Sequence, residues 1–226
     1  MKLRSVCLAL PLALLLAAAH ADEVAKPSWQ QRRAEFATLL EGVHKGDAVA
    51  RKRLDEVLGG LEARQMQRTP IENMEIMGVY YLPREGVEKA LPRIVAHATL
   101  GWYDTLRFSS APGRSEIFYV LFQLPFLIAS PDANANAKAI DFFNAHPRKT
   151  EELVRQGIAM ARQFRGQAVY DRHWPGTFGA NELVCAQGGP CEAAKSLPES
   201  QWEEAWQQAE RVVRECYRGN ESQASD

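Results

Sequence analysis

Two carboxylates, Asp104 and Glu116, are placed where acid/base chemistry is conceivable, flanking the turn between two apolar helical stretches. Facing each other, they would supply the proton donor and acceptor of a cell-wall or small-molecule hydrolase. Acidic residues near helix ends more often cap the helix or pair with bases nearby, here Arg107 and Arg114. No motif flanks either carboxylate, and only geometry makes a catalytic pair. The histidines offer less. His44, His97, His146 and His173 are scattered without paired spacing, so no metal site is expected. His97 reads as a residue satisfied at a helix surface, and His146 as one at a helix C-terminus, where positive charge is favoured. The patterns GxGxxG, GxxxxGK, GxSxG, HExxH and SxxK do not occur in the sequence, so no cofactor is expected.

Binding chemistry is better represented. Trp102-Tyr103-Asp104 and Arg172-His173-Trp174 mix aromatic rings with charge, the composition of interface hot spots. Trp102 lies on an apolar helical stripe and reads as core. Trp174 sits in a Gly/Pro-rich loop without periodic partners and reads as a surface anchor. Tyr80 and Tyr103 fall off the apolar stripes, where they would line a groove. The candidate partner-binding set is therefore Tyr80, Tyr103, Asp104, Arg172 and Trp174.

The elements that must position these residues begin after a leader. Lys2 and Arg4 precede an apolar run from Val6 to Ala19, and Ala19-His20-Ala21 is a small-x-small cleavage site. The run is shorter than the roughly 20 residues a membrane span needs. Residues 1–21 thus read as a secretory signal peptide cleaved after Ala21, which places the chain in the periplasm or outside the cell. Export makes a disulfide between Cys185 and Cys191 the expected pairing, because Gly188, Gly189 and Pro190 let the short loop fold back. Cys191 with Cys216 is the rival, ranked second because Cys216 continues the apolar stripe of the last helix.

Helical punctuation runs through the remainder. Ser28 and Gln31 form a capping-box pattern before Phe36, Leu39, Leu40 and Val43. Gly46-Asp47 breaks the chain ahead of a second helix through Leu54 and Leu58. Thr69-Pro70-Ile71-Glu72 opens a third, expected to stop at Pro83. Pro92 suits the first turn of the next. Ile117 to Ala129 is expected as a central helix buried all round. Thr150 and Ser196 are read as caps of later helices, and the last carries Trp202, Trp206, Ala209, Val213 and Cys216 on one face. No segment alternates with period two between hairpin turns. The expected fold is all-α, stacked helical hairpins over 22–164, with a loop region and C-terminal helix over 165–226 packed on the same domain.

Two stretches resemble Sel1-like repeats, a family of TPR-like α-hairpins. Gly46-Asp47-Ala48-Val49-Ala50 with Leu54 is similar to the repeat's opening, and Met77-Gly78-Val79-Tyr80-Tyr81 with Gly86-Val87 is similar to its later marks. Asp55 and Arg84 stand where the family has glycine, and the resemblance spans roughly residues 34–101. His173-Trp174-Pro175 through Cys191 to Trp202 also resembles the tail of periplasmic immunity-type proteins. The resemblance implies an adaptor surface rather than a catalyst. Exported members include immunity proteins against toxins injected by type VI secretion, some of them phospholipases.

Composition is consistent with that expectation. Of the 226 residues 27 are basic and 28 acidic, a net charge of −1, so no basic field is available to hold nucleic acid. The expected function is a protein-binding inhibitor or immunity protein. The alternatives are the hydrolase on Glu116 and Asp104, and a ligand carrier with a pocket around the Ile117–Ala129 helix.

Overall fold

A computed structural model describes residues 28–108, 113–127, 135–179 and 195–218. The expected leader and the expected Cys185–Cys191 pair lie outside these residues. Within them the chain is all-α, with one isolated antiparallel bridge between Phe108 and Ser196. No helix of the described residues is long and apolar enough to cross a membrane.

Helix α1 (Trp29–His44) opens on the Ser28–Gln31 capping box. The Asp47 carboxylate accepts the N–H groups of Val49 and Ala50 to start α2 (Ala48–Leu58). These two form an antiparallel hairpin, with Arg53 of α2 paired to Glu35 of α1. After a short α3 (Leu61–Arg64), the Thr69–Glu72 capping box starts α4 (Pro70–Ile76), with proline in its first turn.

The expected stop at Pro83 does not occur. Met77–Tyr81 is a π-helical turn, in which Leu82 N–H donates to Met77 O five residues back. Pro83 then falls in the first turn of α5 (Leu82–Leu106), where a missing N–H is least harmful. The chain turns instead at Gly86, whose φ of 75° is open to glycine at little steric cost. Pro92 consequently lies inside α5 rather than at its start.

The expected central helix is two short ones, α6 (Arg114–Phe122) and α7 (Leu124–Leu127), interrupted at Gln123. It is not buried all round either, since Tyr119, Gln123 and Leu127 are exposed. The central element is α5, which buries residues along most of its length from Ala90 to Leu106. After α8 (Ala135–Ala145), α9 (Pro147–Gln167) starts three residues before the expected cap: His146 is its N-cap, and Thr150 lies in the first turn. Ser196 caps nothing, because it is engaged in the bridge to Phe108, and a 3-10 turn, Glu199–Gln201, leads into α10 (Trp202–Tyr217).

The longest seam joins α5 to α9. Lys149 meets Glu88 at one end and Arg165 lies over Tyr103 at the other, so these helices run parallel. Gly157 makes the seam possible, because a β-carbon there would sit 2.5 Å from Pro92 O and 2.6 Å from Val95. Helix α10 runs antiparallel to α9, through Arg162–Glu210 and Arg165–Glu203, and covers α5 with Trp206, Ala209 and Val213. Cys216 is exposed and Tyr217 takes the buried position instead, because the buried stripe runs from Trp206 through Ala209 and Val213 to Tyr217 in steps of three, four and four.

Candidate functional site

The C-terminal end of α5 holds the densest polar arrangement of the described residues. Asp104 is 1% exposed, yet its carboxylate is fully engaged. Arg107, one turn on, donates to Oδ1 at 2.6 Å, Trp174 Nε1 donates to Oδ2 at 2.9 Å, and the Tyr170 hydroxyl also bonds to it. Burial pushes the Asp104 pKa up, and Arg107 with the two neutral donors opposes that push. Burial and the adjacent carboxylate drive Tyr170 well above the usual phenol range, so it remains a proton donor. Arg107 also reaches Arg172 O, and Arg172 in turn donates to Ala168 O at the end of α9, where positive charge is favoured. The centre fastens residues 168–179 across the end of the helices.

Above it lies a stack of arginines and rings. The Arg107 guanidinium sits 5.1 Å from the Tyr103 ring and 5.0 Å from that of Trp202. Arg165 sits 4.8 Å from both Tyr103 and Trp206, and these two rings meet edge to face at 5.2 Å. Trp202 donates its indole N–H to Leu197 O at 3.0 Å, which fixes the ring. The stack starts in the core at Trp206 and Tyr103 and reaches the surface at half-buried Trp202 and Arg165. Beside it His173 is 81% exposed, seated on Phe108 and next to Asp171.

The sequence-derived set is thus redistributed. Tyr103, Asp104, Arg172 and Trp174 do converge, but three of the four are interior. Trp174 is 0% exposed, not a surface anchor, because a buried carboxylate gives its indole N–H a partner and Phe178 packs against its ring. Tyr103 is buried under Trp206 rather than lining a groove, and Arg172 is half-buried. Tyr80 belongs elsewhere: it lies before α5, half-buried, with Arg84 4.0 Å over its ring. Its neighbour Tyr81 lies under Arg93, eleven residues or about 16 Å of helix before Asp104, so Tyr80 stands apart from that centre.

The hydrolase pair is not formed. Glu116 is exposed on the first turn of α6, and Asp104 is enclosed among its own three donors. Asp104 and Arg107 do pair, as neighbours at a helix end were expected to. His97 is not at a helix surface but 1% exposed, with neither ring nitrogen bonded. Trp102, read as core, is half-buried against Phe118 and Phe122.

Sequence reasoning overlooked Arg165 and Tyr170, and it assigned Trp202 to the inner face. Arg165 and Tyr170 stand at the end of the α9 periodicity, where a stripe carries little information about neighbours. Comparison of the chain with protein-family models, curated proteins and solved structures finds no match.

Proposed function

We propose that this chain is an exported protein-binding protein, most concretely an immunity protein that neutralises a secreted antibacterial toxin by occluding it. The observation that carries the reading is the arginine–aromatic stack that surfaces at Trp202 and Arg165. Tryptophan and arginine dominate interface energetics, chiefly where they are held in place before the partner arrives. Here the Trp202 ring is fixed by Leu197 O on its edge and Arg107 on its face. Glu203, exposed and paired with Arg165, supplies a polar rim together with Asp171 and His173. The enclosure of Asp104 and the exposure of Glu116 weigh against the hydrolase reading. The leader supports export, and the likeness to Sel1-like and immunity-type sequences supports the choice of partner.

A protection assay tests this. Cells lacking the chain are challenged by a toxin-secreting sibling strain and complemented with the native gene or with one carrying Trp202→Ala. Protection by the native gene, weakened by the variant at equal protein level, is expected. Equal killing with and without the native gene would overturn the immunity reading.

A further inference from the structure

His97 stands at the α5–α9 seam as a fully buried imidazole. Its ring stacks on Phe164 of α9, with centroids 5.7 Å apart and planes 22° from parallel. Neither Nδ1 nor Nε2 has a hydrogen-bond partner, and both atoms are shut off from solvent. Buried polar groups are bonded in the great majority of cases, so two orphans on one ring are unusual. A leucine would fill comparable space without that cost.

The geometry points to an acid-sensitive seam, in which the neutral His97 ring lets α5 and α9 close and its protonation forces them apart. The surroundings make the response one-sided. The charged group that bears on the ring is Arg93, one turn earlier on α5, itself bound to Glu85 and Glu62. Its charge opposes a second positive charge nearby. Helix α9 meets the imidazole with the uncharged Phe164, and the charges between α9 and α10, Arg162 with Glu210 and Arg165 with Glu203, are paired to one another. No carboxylate stands ready to receive an imidazolium among the groups that act on it. Burial first, and Arg93 second, pull the His97 pKa from 6.5 to about 3.

The linkage follows from that direction. Between these two values the unfolded chain holds a proton on His97 that the folded chain does not. Stability is therefore complete above the unfolded pKa and declines as pH falls toward the folded one. From pH 8 to pH 4.5 this one group should raise the unfolding equilibrium constant about a hundredfold.

The test is urea unfolding of the purified chain at pH 8 and pH 4.5, native against His97→Leu, with the native imidazole titrated in parallel by NMR. The native chain should lose about a hundredfold more in its folding constant than the variant, and its His97 resonance should not titrate between pH 8 and pH 4.5. Equal acid losses in both proteins would overturn the inference. So would a His97 resonance titrating near its ordinary value, and that readout stands even where His97→Leu does not fold.

Discussion

Asp104 shows how a residue with catalytic looks can be held in a structural role. A carboxylate without exposure is tolerated because Arg107 supplies the countercharge and Trp174 and Tyr170 occupy the remaining lone pairs. Removing the carboxylate leaves a buried guanidinium without its countercharge and takes an acceptor from two buried donors. Asp104→Ala should therefore cost about 3–5 kcal/mol, read as a lower urea midpoint at unchanged slope. Trp174→Ala should cost about as much through the lost ring volume. As both changes dismantle one network, the double variant should lose clearly less than the sum. The sequence showed aromatic and charged types side by side at 102–104 and 172–174, but not which pointed inward. Trp174 opens a 3-10 turn, Trp174–Thr177, too short to show periodicity, and its inward orientation depends on a hydrogen bond to a residue 70 positions away.

At the scale of elements, legibility followed the range of the physics. The Ser28 and Thr69 capping boxes are local hydrogen bonds within three residues, and both formed as expected, while Asp47, read only as part of a chain break, also caps α2. Ser196 has the same local pattern, but pairing with Phe108 claimed it. The continuation through Pro83 depended on a π turn, which has no spacing signature. Thr69→Ala, which removes the acceptor for Glu72 N–H, should lower stability by about 1–2 kcal/mol in thermal or urea unfolding. The α5–α9 seam gives a sharper expectation. In Gly157→Ala the new methyl meets the Pro92 carbonyl, which is backbone and cannot rotate aside. The helices must separate, at about 1–3 kcal/mol, and a melting temperature equal to the native one would refute the close-packed seam.

Across the whole molecule, the all-α class was legible because the apolar periodicity outside the Gly/Pro-rich stretch before the last helix is helical, whereas the α5–α9 pairing joins segments about sixty residues apart and left no trace in composition. The α1–α2 hairpin is attached differently from the rest. It contributes Phe36, Leu54 and Leu58 to the core, and two ion pairs, Arg32–Glu72 and Arg33–Glu75, tie it to α4. Partly exposed ion pairs hold less firmly than apolar burial. Amide hydrogen exchange should accordingly be faster over residues 29–58 than over α5 and α9, and uniform protection would contradict a separately opening arm.

The central claim, that the arginine–aromatic stack at Trp202 and Arg165 is where a partner protein binds, is tested most directly by quantitative affinity capture. Periplasm from toxin-exposed cells is passed over the native chain, Trp202→Ala and Tyr80→Ala, each first shown to melt like the native protein. A captured protein should bind the Trp202 variant roughly 5- to 150-fold more weakly, matching about 1–3 kcal/mol at a hot spot, and the Tyr80 variant normally. Capture unchanged by Trp202→Ala, or abolished by Tyr80→Ala in the π-helical turn before α5, would contradict the account.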